Sequence, residues 1–213
     1  MDLITINDPR SAAADAYRTL RTNLMFSRLD NPLVTLGITS PAENNGKSRA
    51  AANLAVTLAQ AGNATILIDA DLRRPGQHTI WGADNGRGLT TALLDDSTID
   101  LVDTGIDHLK ILPSGELPAN PVDVLSSNKM DAVIDKLKAM ADILIFDMPP
   151  VLVAADASVL GQKLDGVLMI VQANKTQRDH TSRAQEQLER VNVNLLGAAL
   201  IDSPLDPASS QYR

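Results

Sequence analysis

Two rhythms of apolar residues alternate along the chain. In the first, short runs are nearly continuous in apolar and β-branched residues: 32–39 (PLVTLGIT), 64–71 (ATILIDAD), 109–114 (LKILPS), 142–147 (DILIFD), 166–172 (GVLMIVQ) and 195–201 (LLGAALI). Such runs suit strands covered on both faces, as in a parallel sheet between helices. In the second rhythm apolar residues return every three or four positions, as on one face of a helix. Ser11 is the expected N-cap of a helix over about 11–28, with Ala13, Tyr17, Leu20 and Leu24 on one stripe and Asp15, Arg18 and Thr22 opposite. Residues 48–62 carry Ala51, Leu54, Ala55 and Leu58 at helical spacing and end at Gly62, a good residue just past a helix. Further helices are expected near 89–95, across 126–141, near 155–162 and over 178–191.

Strand and helix alternate throughout, so the expected class is α/β: a mostly parallel β-sheet flanked by helices on both faces. No internal repeat or low-complexity linker interrupts it, and residues 1–213 are read as one domain with a short tail from about 203. The longest irregular stretch, 72–87, is rich in Gly, Arg and Pro and follows a strand's C-terminal end. Ligands of open α/β sheets bind there.

Composition narrows the function classes. With 213 residues, 44% of them apolar, the chain can bury a substantial core. A net charge of -7 and a pI near 4.8 disfavour a sequence-independent grip on nucleic acid, which needs a field of Lys and Arg. No nucleic-acid partner is therefore expected. There is no cysteine, hence no disulfide framework and no thiolate metal site, and a reducing, intracellular compartment fits. His78, His108 and His180 lie too far apart for metal-ligand spacing and read as surface or packing residues. The first residues lack the basic start and apolar run of a signal peptide, and no apolar stretch approaches the ~18 residues of a membrane span.

Three segments carry chemistry. SPAENNGKS, residues 40–48, lies between an expected buried strand and a helix N-terminus, where free N–H groups and the helix dipole attract phosphate. In that role Lys47 would reach the terminal phosphates and the Ser48 hydroxyl would ligate Mg2+. ILIDADLRRP puts Asp69 and Asp71 at a strand's end, two apart on an extended segment and so on one side. They read either as a turn or helix cap or as carboxylates for Mg2+ or for taking a proton from an attacking hydroxyl. Arg73 and Arg74 read as solvated surface residues or as neutralisers of phosphate charge. DILIFDMPP ends a strand at Asp147, the form of a Walker B strand whose Asp holds Mg2+ through water.

With these segments the chain resembles the bacterial tyrosine kinases (BY-kinases) of capsule and exopolysaccharide synthesis, within the deviant-Walker P-loop ATPases. DADLRRP followed by DMPP carries the resemblance most specifically, supported by LPSGELPANPVDVLSSNKM and DMPPVLVAADASVL, and the likeness runs from about residue 12 to residue 202. It implies a P-loop NTPase fold and transfer of the γ-phosphoryl group of ATP to protein tyrosine, with Mg2+. It makes Asn44, Asn45, Gly46, Lys47, Ser48 and Arg49 the nucleotide-binding set (ATP/ADP) and Ser48, Asp71 and Asp147 the Mg2+ ligands. Asp69 becomes the base for a tyrosine hydroxyl, with Lys47 and Asp71 as its catalytic companions. DAYRTLR is similar to the family's E-x-x-R-x-x-R helix, which joins subunits into a ring; Asp15 stands for the Glu, with Arg18 and Arg21 retained. The same residues read without the family as an ordinary ion pair on a solvated helix. A separate membrane-spanning activator, or polysaccharide co-polymerase, is the implied partner, with a cytoplasmic location at the inner face of the membrane.

The departures from the family pattern are local. Its loop usually reads P-G-x-G-K-[ST], so Glu43 stands for Pro and Asn44 for Gly; Asn tolerates the positive φ that Gly supplies. Glu43 is expected to repel phosphate unless it points to solvent. Met148 stands for a Ser or Thr whose hydroxyl would lie near the metal. The family's C-terminal tyrosine cluster is reduced to Tyr212, while Tyr17 is expected in the core. Two other readings are an ATPase switch of the septum-positioning or partition type and a nucleotide-binding assembly module without kinase activity. The first usually has an extra lysine early in the loop, which SPAEN lacks.

Overall fold

The computed structural model describes residues 2–26, 32–43, 45–94 and 98–203. Asn44, Tyr212, the tail beyond Ser203 and the last residues of the helices expected at 11–28 and 89–95 lie outside them. Helices α1 (Ile4–Asn7) and α2 (Ala12–Phe26) precede strand β1 (Thr35–Thr39), helix α3 (Lys47–Gln60) and strand β2 (Thr65–Asp69). Helices α4 (Gln77–Trp81) and α5 (Leu89–Leu94) lead to β3 (Val102–Asp103) and β4 (Leu109–Leu112). Then come α6 (Pro121–Ser126), α7 (Asn128–Lys138), β5 (Ile143–Asp147), α8 (Asp156–Gly161), β6 (Gly166–Gln172), α9 (Arg178–Arg190) and β7 (Leu195–Ile201).

The strands form one sheet in the order β3-β4-β2-β5-β1-β6-β7. Every pairing is parallel except that of β3 with β4. The unbroken apolar runs now have their physical reason. Successive residues leave a strand on opposite faces, and both faces are covered. Ile66, Ile68, Leu144, Phe146, Val167 and Met169 pack under α5, α7, α8 and α9. Their neighbours Leu67, Ile143, Ile145, Leu168 and Ile170 pack with α3 and Leu24 of α2 on the other side. The α/β class with helices on both faces is as expected.

Local signals set several ends. The Ser11 hydroxyl accepts from the backbone N–H of Ala14 at 3.2 Å, capping α2. After α3, Gly62 takes φ 88°, its N–H bonds the Ala59 carbonyl and that of Asn63 bonds the Leu58 carbonyl, a Schellman ending.

Four details differ from the sequence reading. The stretch 72–87 is not irregular throughout: α4 lies in it, bounded by Gly76 and by Gly82 at φ 65°. At five residues it is too short for periodicity to reveal. The helix expected over 126–141 is two helices, because Ser127 is extended (φ -65°, ψ 154°) and caps the second through its hydroxyl. Helix α1 and the two-residue β3 had no periodic signal. Finally, the strand expected over 64–71 ends at Asp69, so Asp71 does not share an extended segment with it. The Asp71 N–H instead turns back to Oδ1 of Asp69 at 3.3 Å, the competition that Asp offers at strand ends.

Candidate functional site

The site is built where β1, β5 and β2, neighbours at the centre of the sheet, end together. Asp147 closes β5 in register with Ile38 of β1 and Asp69 of β2. Beyond β1 the chain turns through Ser40 and Pro41, whose carbonyls accept from Val151 and Leu152, and enters α3. Gly46 starts that helix in the left-handed region, φ 69°, and a β-carbon there would meet Cδ1 of Ile201 at 2.8 Å. Glycine therefore serves both the turn and the close approach of β7.

Lys47, the first residue of α3, is buried, and its ammonium sits between two carboxylates: 2.9 Å from Oδ2 of Asp71 and 2.9 Å from Oδ1 of Asp147. The Ser48 hydroxyl is 3.4 Å away. Burial pulls the Lys47 pKa down, but the charges of Asp147 and Asp71 and its hydrogen bonds to both overcome this, and the net shift is upward. Asp69 is fully buried and accepts at Oδ2 from the N–H groups of Gly76 (2.9 Å) and Gln77 (2.8 Å). Burial first, and the Asp147 charge second, push its pKa up to about 8 against the pull of those N–H groups and of Lys47. Asp69 thus lies beside Asp147 at the buried floor of the site, anchored by two main-chain N–H groups, with Lys47 as the cation between Asp71 and Asp147.

Arginines and a glutamate form the rim. Arg73 grips the buried Asp156 at the start of α8 with two hydrogen bonds, 2.8 and 3.0 Å. Arg74 pairs with Glu43. Glu43 is thereby neutralised locally, which revises the expectation that it repels phosphate unless it faces solvent. Between rim and floor lies a cavity of about 450 Å3, lined among others by Ser40, Asn45, Ser48, Asp71, Arg74 and Pro149. Asn45 is buried with its side-chain Nδ2 unpartnered, a donor left for something that fills the cavity.

Of the residues singled out from sequence, Asn45, Gly46, Lys47, Ser48, Asp69, Asp71 and Asp147 converge here. Arg49 lies at the cavity edge with a mostly exposed side chain, 3.6 Å from the carboxylate of Asp2. Met148 does not converge. Following Asp147, it leaves on the opposite face: it is fully buried, and its Cε is 2.6 Å from where a β-carbon on Gly37 would stand. Pro149 and Pro150 line the cavity instead. The expectation that a hydroxyl at position 148 would lie near the metal is therefore corrected.

On α2, Asp15 and Arg18 pair within the helix at 2.6 Å, Arg18 also donates to the Pro9 carbonyl, and Arg21 donates to the Thr57 carbonyl of α3 at 2.8 Å. Tyr17 is partly buried against the same face of the sheet, and burial raises its pKa to about 12. Two site residues escaped the sequence reading. Gln77 sits in a five-residue helix without periodicity, and Asp156 opens a helix expected near 155–162 but without any sign of a role in the site; only their distance from DADLRRP and DMPP could have flagged them.

The donor set suits a hard cation that arrives with phosphate. Ser48, Asp71 and Asp147 offer oxygens only, the ligands Mg2+ takes. Among the described residues no group of three or more His, Cys, Asp or Glu is arranged to hold a metal. Mg2+ is usually held by one or two carboxylates plus substrate phosphates, so the two carboxylates fit it.

Comparison with known proteins agrees with this chemistry. Residues 35–201 match the family model described as "NUBPL iron-transfer P-loop NTPase". Iron–sulfur clusters are held by Cys thiolates, and these 213 residues contain none, so the match bears on the NTPase part of that description. The chain is 39% identical over 201 residues to the tyrosine-protein kinase YwqD of Bacillus subtilis, covering 93% of this chain and 85% of the relative. The crystal structure of the chimerical protein CapA2B2 superimposes with a TM-score of 0.91 at 35% identity, over 95% of this chain and 90% of that one. The septum site-determining protein MinD of Pyrococcus horikoshii, at 22% identity and a TM-score of 0.66 over 84% and 76%, shares the fold alone.

Proposed function

From the fact that this chain belongs to the BY-kinase family of deviant-Walker P-loop ATPases linked to capsule and exopolysaccharide biosynthesis, we propose that it is an ATP- and Mg2+-dependent protein-tyrosine kinase acting as one domain. The observation that carries this reading is Lys47 held between Asp71 and Asp147 at the mouth of a helix N-terminus. Two carboxylates already balance a cation there, and the amide groups that attract phosphate are next to it.

In this reading Lys47 leaves the carboxylates for the β- and γ-phosphates, and Asp71, Asp147 and the Ser48 hydroxyl become free to hold Mg2+. Bound Mg2+ would neutralise charge on the transferring group. Gly46, Asn45 and the first N–H groups of α3 orient the phosphates. Asp69, anchored by Gly76 and Gln77, takes the proton of the attacking tyrosine hydroxyl. The chain supplies position and fixed charge, which is most of what phosphoryl transfer asks of a protein.

No helix among the described residues is long and apolar enough to cross a membrane. A membrane-spanning activator, which brings a cytoplasmic kinase to the inner face of the membrane, completes the proposal. Assembly through Asp15, Arg18 and Arg21 and phosphorylation of Tyr212 belong to it as well.

The test is incubation with γ-labelled ATP and Mg2+, with and without an activator peptide, beside Lys47→Met. Label on Tyr212 or on an added tyrosine substrate supports the kinase. Free phosphate without labelled protein points to the ATPase switch instead, and nucleotide binding with neither points to an assembly module.

A further inference from the structure

Gln77 is fully buried, and each polar group of its side chain is engaged. Its Nε2 donates to Oδ2 of Asp147 at 2.8 Å and to the Ser48 carbonyl at 3.0 Å. Its Oε1 accepts from Nε1 of Trp81 at 3.1 Å. The amide has one possible orientation here. An indole N–H only donates, so Oε1 must face Trp81, and the two amide hydrogens then face two acceptors. The main-chain N–H of the same residue holds Asp69. One residue of a five-residue helix therefore touches the end of β2, the end of β5 and the first turn of α3.

We infer that Gln77 is a positioning residue for the cation end of the site, fixing Asp147 and the Ser48 segment relative to each other, with Trp81 fixing Gln77. The inference rests on the nucleotide-binding reading above. Asp147 has two holders, Lys47 at Oδ1 and Gln77 at Oδ2. When Lys47 turns to phosphate, Gln77 is the holder that stays, and Oδ1 keeps facing the place the ammonium has left. Because the same Nε2 is bonded to the Ser48 carbonyl, the Ser48 hydroxyl and Asp147 stay at a set separation. Ser48 and Asp147, the residues that would hold a cation, would then already be in place for it. The role is toward the cation rather than the nucleotide, since Gln77 lies behind the carboxylate and does not line the cavity.

The test separates the two. ADP affinity is measured by calorimetry with and without Mg2+ for the wild type, Gln77→Met and Trp81→Phe. Methionine keeps the length and the main-chain bond to Asp69 but cannot donate. Phenylalanine keeps the packing and removes the N–H. The expected result is that the factor by which Mg2+ strengthens ADP binding falls about tenfold in Gln77→Met, the usual size for losing a partner behind a metal ligand, while affinity without Mg2+ stays within about twofold. Trp81→Phe should move the same way by a smaller factor, about twofold to threefold, as befits loss of a neutral hydrogen bond. Trp81 is the chain's one tryptophan, so its emission should respond to Mg2+ with ADP in the wild type and lose that response in Gln77→Met. An unchanged Mg2+ factor in folded Gln77→Met overturns the inference. Should that variant not fold, an unchanged factor in Trp81→Phe does so. Wild type that binds no ADP overturns the nucleotide reading and this inference together.

Discussion

Arg74 and Glu43, 31 residues apart, form an ion pair at the rim of the phosphate loop. The pair sets the Glu43 carboxylate at the cavity rim against the Arg74 guanidinium, which neutralises it locally. Replacing Glu43 with Ala should release Arg74 toward phosphate and strengthen ADP binding about threefold to tenfold at low salt. The gain should shrink as ionic strength rises. Arg74 is exposed and Glu43 partly so, and the pair lies at the surface, so stability should change by less than ~1 kcal/mol. Calorimetry at two salt concentrations checks it; equal affinities of variant and wild type at low salt would refute the neutralising role.

Lys47→Met leaves Asp71 and Asp147 facing each other without their cation. Nucleotide affinity should fall at least about a hundredfold, the loss of several charge-assisted bonds. Removing one partner of a buried pair costs about 3–5 kcal/mol, so the melting temperature should drop as well. A thermal melt beside the wild type checks the loss, and an unchanged melting temperature would contradict it.

Asp69 predicts a slope of stability with pH. Its folded pKa, about 8, is above the 3.8 of the unfolded chain, so the native state binds the proton more tightly. The stability contributed is fully present below about pH 4 and is lost as pH rises through about 8. Asp69→Asn cannot ionise and should flatten this part of the curve, being relatively more stable than wild type above pH 8. Denaturant unfolding from pH 5 to 9 tests the sign: a wild-type contribution that grows with pH would contradict it.

Met148→Thr restores the residue type expected of the family but should not restore a metal contact. The side chain is in the core against Gly37 and Leu164. Shortening it leaves a gap and buries a hydroxyl, at about 2–4 kcal/mol. Mg2+ dependence should be unchanged; a marked gain in Mg2+ affinity would show that the position reaches the site after all.

Much of this was legible in the sequence because the sheet is covered on both faces. Continuous runs such as DILIFD and GVLMIVQ admit little else, and the boundaries of β6 and β7 match their runs. The phosphate loop was legible from Lys47 and Ser48 placed between strand and helix. What periodicity could not reach were elements too short to repeat a period, α1, α4 and β3, and the break at Ser127, set by one residue's ψ. Side-chain pairings across distance were also out of reach. Nothing in the order of residues says that Arg74 would meet Glu43, that Gln77 would close on Asp147, or that Met148 would turn away from the cavity. Met148 lies just past the end of β5 at Asp147, where strand alternation no longer assigns a face.

Gly46 leaves room for Ile201 at the start of α3. A β-carbon there would stand 2.8 Å from the isoleucine's Cδ1, so Gly46→Ala must displace either the end of β7 or the first turn of α3. The left-handed φ of 69° adds backbone strain to the same substitution. Position 46 is closed to side chains twice over, by the turn and by the neighbouring strand end.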